Sequence, residues 1–115
     1  MTSVTIKAGD TEVLELLALK PDATPLTGST NLRVDVRRAS DDLILDFGDG
    51  VFKASGWATP KATLLEVSAA NAPGWYKYSL ATAGWSTGAY VLTFTEVSTT
   101  SAGMLPAAAE LRVGG

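Results

Sequence analysis

The chain is 115 residues long, with 46% hydrophobic residues, 18% charged residues and a formal net charge of −3. This is the length of one domain, and the apolar fraction suffices for a packed core, which excludes a disordered chain. The nine basic residues are scattered except for a small group at Arg33, Arg37 and Arg38. The clustered basic surface of nucleic-acid-binding proteins and the basic amphipathic segment of membrane-surface proteins are both missing. We therefore expect neither nucleic acid nor membrane as a partner.

The chain contains no cysteine and no histidine. Disulfides, thiolate nucleophiles, imidazole bases and the commonest metal ligands are therefore ruled out. A pair of carboxylates remains as a catalytic option, but a sandwich of this length has little volume for a deep cleft. The sequence predicts no enzymatic activity, no cofactor and no metal.

No segment near the start of the chain resembles an export signal. The longest apolar run there covers residues 16–19, which is too short for a signal peptide or a membrane span. If Met1 is the true start, the sequence predicts a protein made in the cytoplasm without a signal peptide.

Apolar residues alternate with polar ones along most of the chain, and no window shows convincing helical periodicity. The predicted strands cover residues 3–6, 12–19, 31–39, 43–46, 62–69, 75–80, 90–97 and 107–113. The strand at 12–19 is apolar enough to be expected fully buried, and 107–113 is preferred as a strand over the helix that its alanines favour. Predicted turns and loops lie at 22–30, 41–42, 48–50, 73–74, 84–88 and 98–103.

This spacing predicts an all-β fold of about seven to nine short strands, arranged as an immunoglobulin-like β-sandwich. Residues 1–115 are expected to form a single domain, with extended segments at 1–6 and 107–115. The Cys-Trp-Cys core of antibody domains is missing, so the prediction concerns the architecture alone.

Two aromatic segments, at 71–80 and 86–97, follow one plan. Bulky side chains stand at every second position, namely Tyr76, Tyr78, Leu80, Tyr90, Leu92 and Phe94. We expect these rows to form cross-strand core pairs on neighbouring strands. Trp75 has the opposite parity and shares it with Lys77, so its exposure is left open.

The candidate contact residues are the three tryptophans, Trp57, Trp75 and Trp85. Trp57 and Trp85 lie in glycine-containing loops, where exposure is commoner than within strands. Three interpretations remain open for them: a place in the core, an anchor in a protein interface, or a platform for sugar rings.

An acidic stretch holds Asp41, Asp42, Asp46 and Asp49 within nine positions. Clustered oxygen ligands suit Ca²⁺, but the spacing differs from that of the EF-hand loop. Aspartate is also frequent in turns because its carboxylate accepts a hydrogen bond from the amide two residues on. We favour the turn role over a calcium site.

Four short motifs occur at 26–28 (LTG), 37–41 (RRASD), 66–76 (EVSAANAPGWY) and 88–90 (GAY). Their order resembles small β-sandwich proteins and modules encoded by tailed bacteriophages. These include capsid decoration proteins and the immunoglobulin-like parts of tail, baseplate and fibre proteins. The resemblance covers roughly residues 15–97 and rests on motifs of the fold.

The resemblance implies a non-enzymatic structural protein of the virion, present in many copies, with capsid or tail subunits or further copies of itself as partners. A capsid decoration or cement protein is the first expectation, and a tail, baseplate or fibre component the alternative. The expected contact elements are residues 1–6, the loops bearing Trp57 and Trp85, and the segment from Ala107. A carbohydrate-binding module is the alternative of another class, and it predicts at least two exposed tryptophan rings that are coplanar or facing.

Overall fold

The computed structural model describes residues 2–97, 104–105 and 107–114, and the regular structure in these ranges is entirely β. The ten strands are β1 (Thr2–Lys7), β2 (Thr11–Leu17), β3 (Leu32–Arg38), β4 (Ile44–Asp46), β5 (Val51–Lys53), β6 (Ala62–Thr63), β7 (Leu65–Ser68), β8 (Ala72–Ala81), β9 (Gly88–Glu96) and β10 (Ala107–Gly114). No helix in the described ranges is long and apolar enough to cross a membrane. Met1 and the predicted loop at 98–103 lie outside the described residues.

The strands form two sheets that enclose one core. The large sheet has the order β1-β10-β9-β3-β4-β5, with β6 also paired to β3, and the small sheet has the order β2-β8-β7. The core contains buried side chains from both, such as Leu14 and Tyr76 of the small sheet and Val34 and Leu92 of the large one. The predicted all-β sandwich is confirmed, with one strand more than the upper end of the predicted range.

Leu64 marks the point where the chain passes from one sheet to the other. The strand before it, β6, pairs in the large sheet, and the strand after it, β7, pairs in the small sheet. The Leu64 amide donates a hydrogen bond to the Leu32 carbonyl at 2.9 Å, and its side chain is fully buried. The single predicted strand at 62–69 is therefore two strands that belong to different layers.

The two aromatic rows also belong to different sheets. β8 pairs with β2 and β7, whereas β9 pairs with β10 and β3, so the predicted cross-strand pairing between the rows is wrong. Their predicted burial is right for Tyr76 and Tyr90, which are fully buried, while Tyr78 is only partly buried. Both rows face the same core, but from opposite sheets, because residues 82–87 cross from the small sheet to the large one.

The predicted turn at residues 73–74 is a bulge inside a strand. The chain reverses at residues 69–71 instead, and Pro73 and Gly74 lie within β8. Between the Glu66–Tyr76 and Ser68–Ala72 pairs, β8 advances four residues while β7 advances two. Gly74 has a φ of +84°, the left-handed conformation that bulges and tight turns both demand, so its sequence signal fits either.

The first and last strands pair with each other in parallel, from Thr2 opposite Ala109 to Lys7 opposite Gly114. The strand predicted at 107–113 is confirmed. Its alternating residues Leu111 and Val113 are buried, and this packing overrides the helix propensity of the alanines. The segments expected to extend from the domain are therefore strands of the large sheet.

Candidate interaction surface

Glu66 joins the loop before β3 to the small sheet. Its carboxylate accepts hydrogen bonds from the Thr27 hydroxyl at 2.8 Å, the Gly28 amide at 2.8 Å and the Gly74 amide at 3.0 Å. Burial alone would raise the pKa of the Glu66 carboxyl, but these three donors outweigh it and lower that pKa. The motifs at 26–28 and 66–76 thus meet in one cluster that fixes the fold.

Tyr76 reinforces the same junction from the core side. Its hydroxyl donates to the Leu26 carbonyl at 2.7 Å and accepts from the Ser29 amide at 3.1 Å. Burial raises the pKa of the Tyr76 hydroxyl, which stays neutral and serves as both donor and acceptor.

Two arginines of the small basic group, Arg37 and Arg38, are paired with acids that follow them in the chain. Arg38 Nε lies 3.0 Å from Asp41 Oδ1 and Arg38 Nη2 lies 2.7 Å from Asp41 Oδ2, and its guanidinium stands 4.8 Å above the centre of the Phe52 ring. Arg37 Nη1 lies 2.6 Å from Asp42 Oδ1. The motif at 37–41 is therefore also a structural element of the hairpin between β3 and β4.

Three of the four clustered aspartates accept a hydrogen bond from the amide two residues on, which confirms their predicted turn role. The bonds join Asp41 Oδ1 to the Leu43 amide at 3.2 Å, Asp46 Oδ1 to the Gly48 amide at 2.9 Å and Asp49 Oδ1 to the Val51 amide at 3.1 Å. Within the described ranges, no group of three or more acidic side chains is arranged to hold a metal ion.

Asp46 is the buried member of this stretch, with 1% of its side chain exposed. Its carboxylate lies 2.8 Å from the Lys53 ammonium and also accepts from the amides of Ala58 and Thr59, both at 2.9 Å. The Lys53 ammonium and the backbone amides hold the pKa of Asp46 well below its usual range. Asp46 thereby fastens the β4–β5 hairpin to residues 54–61. The strand β5, which directly follows the turn at residues 48–50, was not predicted from the sequence.

Trp85 belongs to the core. It is 9% exposed and packs against Phe52, with ring centres 5.1 Å apart, and against Tyr90, with ring centres 4.7 Å apart. Of the three interpretations left open for Trp85, its contacts support a place in the core. The glycine-containing loop folds its ring inward, because a large apolar ring gains more from burial than from exposure.

The other two tryptophans differ in exposure. Trp57 is half-buried, and its indole N–H donates to the Ile44 carbonyl at 2.9 Å, which attaches residues 54–61 to β4. Trp75 is 42% exposed on the outward side of β8, together with Lys77, as its parity allowed. With one exposed tryptophan of three, these residues do not form the two-ring platform expected of a carbohydrate-binding module.

Exposed apolar side chains collect on the face of the small sheet that points away from the core, which we term the outer face. Its residues are Val13 (49% exposed), Leu17 (40%), Leu65 (70%), Val67 (47%) and Trp75 (42%), with Glu15 and Lys77 among them. Single exposed apolar residues are normal on a small protein, but five on three neighbouring strands form a patch.

The outer face is apolar because of how β2 and β7 are oriented. In β2, Leu14 points into the core and Val13, Glu15 and Leu17 point out, so the prediction of a fully buried strand at 12–19 is wrong. In β7, Glu66 is turned inward toward its three donors, which leaves Leu65 and Val67 exposed. The alternation of β7 was visible in the sequence, but not which row faced the core.

The strand register places the residues of the outer face in rows. On this face of β2 and β8, the pair of Leu17 opposite Trp75 comes directly after the pair of Glu15 opposite Lys77. Leu65 of β7 stands opposite Lys77 on the other side. An apolar pair and a pair of opposite charges thus lie next to each other at the centre of the face.

Comparisons with protein-family models, with curated proteins and with solved structures give no match to this chain. The interpretation of the outer face therefore rests on its own residues. The resemblance of the four motifs to phage β-sandwich proteins stays a prediction.

Proposed function

We propose that this chain is a non-enzymatic structural protein of a tailed phage particle, attached in many copies to the head as a capsid decoration or cement protein. The observation that carries the proposal is the outer face, with Trp75 beside Leu17 on a β-sandwich. A largely apolar exposed patch of this kind marks a protein contact, and tryptophan is a frequent anchor of such contacts. The motif resemblance supplies the class of particle.

The way the four motifs are used in the fold supports the proposal. Glu66 and Tyr76 fasten the 26–28 loop, and Arg38 pairs with Asp41 in the next hairpin. The hydroxyl of Tyr90, in the fourth motif, donates to the Ser86 carbonyl at 2.7 Å. These contacts give a firm body with a separate contact face, which is what passive reinforcement of a shell requires.

The proposed mechanism is attachment by burial of surface. A stable contact buries on the order of 1,000 Å² or more in total, and symmetry repeats that contact over the particle. Each bound copy stabilises the assembled state by mass action, without any chemical step. A tail, baseplate or fibre protein would use the same face in the same way, so the location in the particle must be measured.

The location is tested with an antiserum against the purified protein, applied to particles produced by the phage or prophage that encodes the chain. After density-gradient purification, we expect the protein to band with DNA-filled heads in many copies per particle, and immunogold to label the heads. Gold on tails alone would support the alternative placement. Purified particles without the protein would overturn the proposal.

The role of the outer face is tested by adding purified protein back to heads from a phage whose copy of the gene is deleted. We expect wild-type protein to sediment with these heads and Trp75→Ala to lose at least tenfold in affinity. The matched control is Val51→Ser, which changes a residue that is 51% exposed on β5, away from the outer face. Equal binding by all three proteins would contradict the proposed role of the face.

A further inference from the structure

We propose that the outer face packs against the same face of a second copy of this chain. The two copies are related by a two-fold axis that runs parallel to the strands, midway between β2 and β8. This inference rests on the proposed function of the outer face as the contact surface, and it names the partner of that surface. On the particle the partner is a neighbouring bound copy, and the pairing of copies strengthens their attachment to the head.

The charges at the centre of the face carry the inference. Glu15 and Lys77 are exposed and stand side by side in register. Neither side chain forms an ion pair with another residue in the described ranges. A face with one acid beside one base can pair with a second copy of itself. A two-fold axis between them places the acid of each copy over the base of the other, so both charge contacts are attractive.

The register selects the direction of the axis. An axis parallel to the strands, between β2 and β8, sets Glu15 of each copy over Lys77 of the other. The same operation sets Leu17 of each copy over Trp75 of the other, so that apolar groups meet apolar groups. An axis across the strands through this row would set Glu15 over Glu15 and Lys77 over Lys77, which repel each other.

The size of the face predicts the strength of the contact. Three strands span about 15 Å and seven residues span about 20 Å, so two paired faces cover roughly 600 Å² in total, which is less than a stable specific interface buries. The free chain should therefore dimerise weakly, and copies held close together on a particle should dimerise far more completely. Paired sheets of this kind pack with their strands within about 30° of each other.

The dimer is tested by sedimentation velocity from about 10 µM to about 1 mM protein. We expect a concentration-dependent shift from monomer to dimer, and Trp75→Ala should weaken the association at least tenfold. Glu15→Lys and Lys77→Glu should each do the same, because each creates two repelling contacts per dimer. Lys7→Glu is the matched control, since Lys7 is exposed on β1 of the other sheet. Circular dichroism of each variant checks that it is folded.

The single charge variants and their combinations together test the orientation, because an axis across the strands would leave Glu15→Lys and Lys77→Glu no weaker than the wild type. Under the proposed axis, an equimolar mixture of Glu15→Lys and Lys77→Glu recovers wild-type association, because both charge contacts are then attractive. The double variant with both substitutions recovers it as well. If the mixture and the double variant stay monomeric while the wild type dimerises, this geometry is wrong.

Two further outcomes separate this inference from the proposed function. A chain that stays monomeric at every concentration and yet binds heads through Trp75 overturns the dimer and keeps the function. A chain that dimerises as described but is missing from purified particles keeps the dimer and overturns the function.

Discussion

Asp46 shows how much one residue can depend on the rest of the chain. Asp46→Asn keeps the shape of the side chain but removes the charge that binds Lys53. We expect the melting temperature to fall by about 5–10 °C, because Lys53 and one or more of the backbone amides bonded to Asp46 lose a charged acceptor. The control is Asp49→Asn, which changes an acid that contacts the same lysine but is 51% exposed, and we expect a change below about 2 °C. Equal effects of the two substitutions would argue against the buried anchor.

The pH dependence of stability follows from the same group. The pKa of Asp46 lies below its unfolded value of 3.8, so folding favours the ionised form. Its stabilising contribution is therefore complete above pH 3.8 and is lost as the pH falls below it. The pKa values of Asp41, Asp49 and Glu66 are lowered as well, which adds to the loss in acid.

We expect the urea midpoint to be level between about pH 5 and 7 and to fall steeply below about pH 4. Asp46→Asn should give a lower midpoint at pH 7 and a shallower fall, so that the two curves approach each other in acid. Parallel curves for wild type and variant would contradict this account.

At the scale of single residues, the sequence predicts a role only where the interacting groups are close along the chain. The turn role of Asp41, Asp46 and Asp49 could be predicted because each acid binds an amide two residues away. The burial of Asp46 could not be predicted, because two of its hydrogen-bond donors are the amides of Ala58 and Thr59, 12 and 13 positions further along the chain. The inward turn of Trp85 is hidden for the same reason, since its partner Phe52 is distant in sequence.

Among the elements, the bulge in β8 gives the sharpest test. A Cβ at position 74 would lie 2.9 Å from the Pro25 Cβ and 3.2 Å from the Ala18 carbonyl oxygen, on a backbone with a φ of +84°. Gly74→Ala therefore adds a steric clash to backbone strain, and we expect a loss of about 3 kcal/mol or more in unfolding free energy. Urea denaturation measures it.

Gly28→Ala is the matched control for strain alone. Gly28 has a φ of +74°, but a Cβ there has no neighbour within 4 Å among the described residues. We expect a loss of about 1–2 kcal/mol, the usual cost of a left-handed non-glycine residue. If Gly74→Ala costs no more than Gly28→Ala, the close approach of Pro25 to the bulge is not rigid.

Strand positions were easier to predict than strand orientation. Periodicity located β3, β8 and β9 because their alternation is strong, whereas β10 alternates only in its second half, at Leu111 and Val113. Periodicity could not orient β2, in which both rows are apolar, or β7, in which the inward row contains Glu66. Sequence alternation shows that a strand has two faces, and only the packing determines which face is buried.

At the scale of the whole molecule, the two sheets are linked where the chain passes from one to the other. Leu64 lies at this crossing, between β6 and β7. Leu64→Ala should cost about 2–5 kcal/mol, because it leaves a cavity where β6 gives way to β7. Leu65→Ala changes the next residue, which is 70% exposed, and should stay within about 0.5 kcal/mol. Both are measured by urea denaturation at low protein concentration, where the chain is monomeric. Similar losses would mean that Leu64 does not hold the layers together.

The sandwich architecture could be predicted from the sequence, but which strands pair with each other could not. Two apolar rows such as those of Tyr76 and Tyr90 indicate buried faces, but they fit one sheet or two facing sheets equally well. The outer face was not predicted because Leu17, Leu65 and Val67 are apolar strand residues of the kind found in cores. Their exposure follows only from which face of the small sheet packs against the large one.

The parallel pairing of β1 with β10 also determines where added polypeptide would leave the molecule. Residue 2 lies beside Ala109 and residue 114 lies beside Lys7, so the two ends of the strand pair are about 17 Å apart. An antigen grafted ahead of residue 2 and a dye or affinity handle grafted beyond residue 114 would project from opposite poles. The same protein could therefore carry two cargoes that do not obstruct each other.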